Sequence, residues 1–215
     1  MILAPRNANV SDLNESILQQ MAGEARQYFS ADKIIYEAGA DPDNAEPIAI
    51  EVLRSITSSS LPPGELNLKV GCPVILLRNL DPSRGLCNGT RMVITRMGDR
   101  VLEARLIGGE HGGGIVFIPR ISLIPTGATD LTFQMKRHQF PVRLAFALSI
   151  NKAQGQSVKS VGIYLKTPVF AHGQLYVALS RATASNNIKV LLPSEGPDMP
   201  ESTTHNIVYN EILID

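Results

Sequence analysis

The sequence has few of the features that mark secreted or membrane-spanning proteins. Its 215 residues include no tryptophan and two cysteines, Cys72 and Cys87. Two cysteines are too few for a disulfide framework, and neither lies in a CxxC pair or at metal-ligand spacing from a histidine, so we expect free, structural thiols. No stretch approaches the roughly 18 consecutive apolar residues that span a bilayer, and residues 1–6 do not resemble a signal peptide. These absences predict a soluble, intracellular protein without a metal site.

The chain also lacks net charge, because 20 basic residues balance 20 acidic ones. The charges are nevertheless segregated. Residues 1–60 hold 4 Lys and Arg against 9 Asp and Glu, residues 61–192 hold 16 against 6, and residues 193–215 hold none against 5. The central segment, at 16 − 6 = +10, can attract phosphate backbones although the whole chain is neutral. The alternative is a solvated basic surface that keeps the domain soluble.

Apolar periodicity and turn signals predict an α/β domain that a small β domain interrupts. The first helix has Asn9 or Ser11 as a candidate cap, and Pro62-Pro63-Gly64 marks the first break. Strands are predicted at the start of the chain and at residues 27–35, 66–70, 74–77, 91–96, 101–107, 115–123, 142–147, 158–165 and 188–192. Helices are predicted at about residues 10–21, 48–56 and 173–182, and an acidic loop at residues 37–47.

These elements predict three regions along the chain. They are a discontinuous α/β domain of residues 1–64 and 131–193, a barrel or sandwich of residues 65–130, and a loosely ordered acidic tail of residues 194–215.

The stretch Phe146–Ser157 places polar side chains where a buried strand ends. It carries Ser149, Asn151 and Lys152, followed by Gln154 and Gly155. The carboxyl ends of parallel strands are where α/β folds bind ligands, and free amides at a helix start attract anions. These polar residues can bind phosphate, but the residue types alone favour the alternative, an ordinary capped strand-to-helix turn.

The stretch His172–Thr183 predicts a helix that ends at an arginine. Leu175, Val177, Ala178 and Leu179 bury one side of this helix, which leaves Arg181 at its far end. A guanidinium is a planar, permanently charged fork that can bind a phosphate. The alternative is a surface arginine that the helix C-terminus favours.

Together these two stretches resemble motifs V and VI of superfamily-one helicases, and the chain is similar to the PIF (petite integration frequency) helicases, including the eukaryotic expansions and the helicase part of Helitron transposons. The runs 68–81, 85–91 and 139–147 are also typical of that family. The resemblance extends from about Ile2 to Leu192 in consistent order.

The resemblance implies a second RecA-like motor domain, built as a parallel sheet with flanking helices and interrupted by a Src-homology-three-like β-barrel. In such enzymes ATP, with Mg²⁺, lies between two motor domains, and its hydrolysis moves single-stranded DNA in the 5′ to 3′ direction. By this analogy Arg181 is the catalytic arginine finger, Gln154, Gly155 and Arg6 lie near the nucleotide, and Ser149, Asn151, Lys152 and His172 face the DNA. Arg78, Arg91, Arg96 and Arg120 of the barrel are further candidates for phosphate contacts.

The sequence departs from a complete motor at two places. A GxxxxGK[ST] loop and an acidic strand end are needed to hold phosphates and magnesium, yet the chain has no Gly-Lys pair, and the apolar run 74–77 ends in Arg78. We therefore expect no ATPase or unwinding activity without an N-terminal RecA-like motor domain as partner.

The chain is either a fragment of a longer helicase or the product of a truncated, transposon-derived gene. A non-catalytic module that binds single-stranded nucleic acid or acts as a scaffold is the rival interpretation. The eukaryotic character of the resemblance predicts a nuclear location, with the mitochondrion as the alternative.

Overall fold

A computed structural model describes residues 1–35, 48–58, 60–125, 133–192 and 203–209. The chain divides into two compact units, which we call the parallel-sheet unit (Met1–Gln20 with Phe146–Asp215) and the antiparallel-sheet unit (Met21–Ala145). The described strands are β1 (Ile2–Ala4), β2 (Arg26–Phe29), β3 (Ala31–Ile35), β4 (Glu65–Leu68), β5 (Pro73–Leu76), β6 (Arg91–Met97), β7 (Val101–Leu106), β8 (Ile115–Pro119), β9 (Ile121–Leu123), β10 (Gln134–Gln139), β11 (Val142–Leu144), β12 (Ala147–Ser149), β13 (Val161–Tyr164) and β14 (Ile188–Leu191). The described helices are α1 (Asn7–Gln20), α2 (Ile50–Ser55) and α3 (Gln174–Leu179).

The parallel-sheet unit contains a four-stranded sheet in the order β12-β1-β13-β14, in which all neighbours are parallel. Its central side chains Leu3, Ala4 and Ala147 are fully buried. Strands covered on both faces read as short apolar runs, which is why Ile2–Ala4 and Ala147–Ser149 show no polar alternation. Helix α1 packs on β1 and β12. The predicted α/β fold with a parallel sheet is confirmed.

The helices of this unit differ in extent from the prediction. Helix α1 begins at Asn7, so the predicted caps Asn9 and Ser11 lie inside it, and that part of the prediction is wrong. The segment after Ser149 forms a 3₁₀ helix of 4 residues, Ile150–Ala153, and α3 spans 6 residues. Among the described residues no helix has both the length and the apolarity needed to cross a bilayer.

The antiparallel-sheet unit contains a five-stranded sheet in the order β11-β5-β6-β7-β8, a three-stranded sheet β3-β10-β9 and the pair β2-β4. Alternate side chains of the large sheet, including Met92, Ile94, Leu102 and Ile118, are fully buried. This period of two is typical of sheets that cover a core with one face. The predicted strand 142–147 is divided, because β11 pairs with β5 here whereas β12 joins the parallel sheet.

Strand β10 was not predicted, because its sequence QMKRHQ is polar. It nevertheless alternates, with Met135, Arg137 and Gln139 fully buried. Arg137 donates to the carboxylate of Asp32 on the neighbouring strand β3, with 2.8 Å between Nη2 and Oδ2, and both side chains are fully buried.

Contacts such as the one between β10 and β3 group residues 21–64 and 133–145 with the antiparallel-sheet unit. The compact units therefore divide the chain at Gln20 and Ala145, whereas the predicted boundaries lie near residues 64 and 131. The predicted loop at 37–47 and most of the predicted tail lie outside the described residues.

Candidate functional site

Two of the predicted site segments follow neighbouring strands at one edge of the parallel sheet. Ala4 at the end of β1 is in register with Ser149 at the end of β12. Arg6 and the 3₁₀ helix Ile150–Ala153 therefore leave the sheet at its carboxyl edge, the edge where open α/β sheets bind ligands. Ser149 and Lys152 are half-buried and Asn151 is exposed.

A turn at residues 153–156 follows this helix. The Gln156 amide donates to the Ala153 carbonyl over 3.1 Å, and Gln154 and Gly155 are exposed. Gly155 has φ +76°, and a Cβ placed there would meet no atom within 4 Å. The turn therefore requires glycine for its backbone conformation and not for lack of space.

The Arg181 side chain folds back onto this turn. Its Nη1 donates to the carbonyls of Gln156 at 3.2 Å and Ala153 at 3.4 Å, and its Nε donates to the Val177 carbonyl at 2.9 Å. Nη2 donates to Ser180 Oγ at 2.9 Å, and no carboxylate among the described residues forms an ion pair with this guanidinium. The side chain is half-buried and does not extend from the helix as a projecting finger would. Backbone carbonyls thus accept three hydrogen bonds from this guanidinium and the Ser180 hydroxyl accepts a fourth.

Arg6 lies near the opposite end of α3. Its guanidinium carbon is 5.7 Å from the centroid of the Phe170 ring. Gln174, which is 2% exposed, joins the two segments that carry these residues, because its Nε2 donates to the Pro5 carbonyl at 3.4 Å and its Oε1 accepts from the Phe170 amide at 3.0 Å. The helix between Gln174 and Leu179 is about 9 Å long. The structure thus brings Arg181 together with the 153–156 turn and places the contacts of Arg6 at the other end of the helix.

His172 is exposed and contacts a distant part of the chain. Its Nδ1 accepts a hydrogen bond of 3.0 Å from the backbone amide of Tyr209. The two rings are stacked, with centroids 5.4 Å apart and an angle of 23° between their planes.

Sequence reasoning missed two buried amides that position these segments. Asn14 donates to the Ala147 carbonyl at 3.0 Å and accepts from the Ala147 amide at 2.8 Å, so it completes the hydrogen bonding of β12, the edge strand. Gln174 bonds to the Pro5 carbonyl and the Phe170 amide, and so joins the segments that carry Arg6 and Phe170. The signal in both cases is a polar residue at an apolar helical position, since Asn14 lies four residues before the buried Leu18 and Gln174 four residues before the buried Ala178.

Three arginines of the antiparallel-sheet unit that we predicted as phosphate contacts make intramolecular bonds to carbonyls. Arg78 donates to Ser60, Arg91 to Ala145 and Arg120 to Phe29. Within the residues that the structure describes, no group of three or more His, Cys, Asp or Glu side chains can hold a metal ion.

Comparison with known proteins identifies the family. The family described as "DNA helicase Pif1, 2B domain" matches residues 51–97. The human ATP-dependent DNA helicase PIF1 is 33% identical over 193 residues, which cover 88% of this chain and 26% of that protein. The crystal structure of Pif1 from Candida albicans is 27% identical, with a TM-score of 0.65 over 95% of this chain and 48% of that one. Bacteroides Pif1 bound to single-stranded DNA is 26% identical, with a TM-score of 0.63 over 88% of this chain and 40% of that one. The chain spans about a quarter of the length of the curated relatives that it matches. It therefore belongs to the Pif1 family of DNA helicases and matches their C-terminal part.

Proposed function

We propose that this chain is the C-terminal portion of an ATP-dependent 5′ to 3′ DNA helicase. In this proposal the parallel-sheet unit belongs to the second RecA-like motor domain, and the five-stranded sheet of the antiparallel-sheet unit belongs to the inserted Src-homology-three-like barrel. The chain supplies the arginine finger and contacts to single-stranded DNA. An N-terminal RecA-like motor domain supplies the phosphate-binding loop and the acidic Mg²⁺ ligands, for which this sequence offers no GxxxxGK[ST] run.

The proposal depends on one observation, the contact between Arg181 and the 153–156 turn. The backbone supports the same contact, because the Val158 amide donates to the Arg181 carbonyl over 3.0 Å and Val158 forms a parallel bridge with Ala182. These backbone contacts join the two stretches that resemble helicase motifs V and VI independently of the hydrogen bonds of the Arg181 guanidinium.

The residues present fit part of a nucleotide site. The Arg181 guanidinium bonds to neutral carbonyls, and charge-assisted bonds to phosphate oxygens are roughly twice as strong as such neutral bonds. We infer that Arg181 turns from the carbonyls of Ala153 and Gln156 to the phosphates of ATP when the N-terminal domain presents them. ATP with Mg²⁺ would supply the free energy of movement through hydrolysis, and Arg181 would stabilise the charge that develops on the transferred phosphoryl group. Gln154 and Gly155 lie beside Arg181. Arg6 lies near the other end of α3, beside the Phe170 ring, so its contact with the nucleotide would be a separate one.

The DNA-binding part of the proposal concerns Ser149, Asn151, Lys152 and His172. Ser149 ends β12, and Asn151 and Lys152 follow it at the carboxyl edge of the sheet. Hydroxyl, amide and ammonium groups at this edge can donate to phosphate oxygens. The +10 charge of residues 61–192 adds a sequence-independent attraction. We expect weak binding of single-stranded DNA that declines steeply between 50 and 200 mM salt, because neutralised phosphates release counterions.

Complementation tests the proposal. The chain is mixed with, or fused to, the N-terminal motor domain of a Pif1 relative, and ATP hydrolysis is measured with and without single-stranded DNA. We expect DNA-stimulated turnover that the chain alone does not have, and a decrease of about 10³-fold or more in Arg181→Ala. Arg105→Ala is the matched control, because Arg105 lies exposed on β7 of the other unit. Turnover by the chain alone, or full turnover with Arg181→Ala, would contradict the proposal.

A non-catalytic single-strand-binding or scaffold module is the second candidate. The observation that favours it is the engagement of the Arg181 donors by groups of its own unit. If single-stranded DNA binds but no N-terminal domain restores turnover, this second function is correct.

A further inference from the structure

The contact between His172 and Tyr209 is not explained by burial. Both residues are exposed, with 48% of Tyr209 accessible to solvent. What holds them is a parallel stack of two planar rings together with a hydrogen bond from the Tyr209 amide to His172 Nδ1. The exposed face of His172 therefore accommodates a planar ring, and its Nδ1 accepts a separate hydrogen bond at the edge of the imidazole.

Bases of single-stranded nucleic acid have the planar face that such a stack requires. Each base presents a flat π-face, on which aromatic side chains stack with little regard to sequence. A neutral imidazole that accepts at Nδ1 carries its proton on Nε2, so the second ring nitrogen remains a donor for a phosphate or sugar oxygen.

The chain around Tyr209 has a second property in common with a nucleic acid strand, which is its negative charge. Residues 193–215 contain five acidic residues and no lysine or arginine. Tyr209 thus brings to His172 a ring on an anionic segment, as a single strand brings a base on a phosphate backbone.

We propose that His172 is a base-stacking subsite for single-stranded nucleic acid and that Tyr209 occupies this subsite as an intramolecular competitor. The inference rests on the proposed function, since it assumes that the parallel-sheet unit binds single-stranded DNA. The inference goes beyond the proposed function in two ways. It assigns a base, and not a phosphate, as the group that binds at His172, and it names Tyr209 as the side chain that a DNA strand must displace.

Equilibrium binding of a short oligodeoxynucleotide containing 2-aminopurine tests this inference on the full chain. Stacking quenches 2-aminopurine fluorescence, and anisotropy of a terminal dye reports total binding independently. We expect Tyr209→Ala to tighten binding about three- to tenfold and to increase the quenching, because one stacking competitor is removed. Val208→Ala is the matched control, since Val208 is adjacent and exposed and has no ring to stack. We expect His172→Ala in the Tyr209→Ala background to abolish both gains.

The outcomes are distinguishable. Equal affinity of the wild-type chain, Tyr209→Ala and Val208→Ala would refute the competitor role, and so would a lower melting temperature of Tyr209→Ala without tighter binding. A gain that survives His172→Ala would refute the subsite. If none of the variants binds the oligonucleotide at low salt, the DNA-binding part of the proposed function fails, and the subsite fails with it.

Discussion

The two units of this chain use arginine in different ways. In the antiparallel-sheet unit, Arg137 is fully buried, donates to the carbonyls of Ile56 and Pro62, and has Asp32 as its counterion. In the parallel-sheet unit, Arg181 is half-buried and donates to backbone carbonyls without a carboxylate. A buried guanidinium with a counterion is committed to the fold, whereas one that bonds only to neutral groups can accept an incoming anion at low cost. The presence of a counterion therefore distinguishes Arg137 from Arg181, although both donate to backbone carbonyls.

Removal of the Arg137 side chain should have the largest effect on stability. Arg137→Met leaves the Asp32 carboxylate buried without a partner, so we expect the free energy of unfolding to fall by about 3–5 kcal/mol. Urea unfolding followed by circular dichroism measures the change. The double variant Arg137→Met with Asp32→Leu should recover part of the loss, because it removes the uncompensated charge. A single variant that loses under about 1 kcal/mol would show that the pair is not structural.

The pH dependence of stability should extend the comparison of the two units to a second buried group of the antiparallel-sheet unit, the Cys72 thiol. Burial raises the pKa of the Cys72 thiol from 9.0 to about 11. Below pH 9 the thiol is protonated in both states, and between pH 9 and 11 only the unfolded chain loses the proton. Stability should therefore fall over this window by roughly 2–3 kcal/mol. Urea midpoints from pH 8 to 11 should show a shallower decline for Cys72→Ala than for Cys87→Ala, and equal slopes would contradict the assignment.

The edge of the parallel sheet offers a third test. Asn14→Ala removes both hydrogen bonds to Ala147, so we expect a loss of about 2 kcal/mol in the free energy of unfolding. Asn14→Asp should be at least as damaging, because it keeps the acceptor but sets a carboxylate against the Ala147 carbonyl. Asn151→Ala, at an exposed position of the same unit, is the control. Hydrogen exchange at the Ala147 amide reports the local effect, and unchanged protection in Asn14→Ala would refute it.

Removal of Arg181 should have the smallest effect on stability. Two of its carbonyl partners belong to the half-buried residues Gln156 and Val177, and the carbonyl of the buried Ala153 keeps the hydrogen bond from the Gln156 amide in Arg181→Ala. We therefore expect a change of about 1 kcal/mol or less. The comparison with Arg137→Met, in the same urea experiment, decides whether the two arginines differ as argued. A loss as large as that of Arg137→Met would make Arg181 a structural residue and would remove support for the finger.

Much of the α/β part could be predicted because its signals are local. The buried strand at Ile2–Ala4, the helix after it and the polar run after β12 depend on residues close in sequence, and the family resemblance is carried by the same runs. The division of the predicted strand 142–147 could not be predicted, because Val142–Leu144 and Ala147–Ser149 each combine two apolar residues with one polar residue, and their pairing partners lie far away in the sequence. Strand β10 was missed because two of its three buried residues are polar, namely Gln139 and Arg137, and the counterion of Arg137 lies 105 residues away.

The sequence by itself determined the family, the presence of a parallel sheet and the stretches that carry the candidate site, since residue type and spacing along the chain specify these. Only the tertiary structure decided which groups meet. It placed the Arg181 guanidinium on the turn at residues 153–156, separated the contacts of Arg6 from it, and stacked Tyr209 on His172. Those contacts join residues 25 to 164 positions apart (170 − 6 = 164 for Arg6 and Phe170), and the geometry that makes them is a property of the packed chain and not of any local pattern.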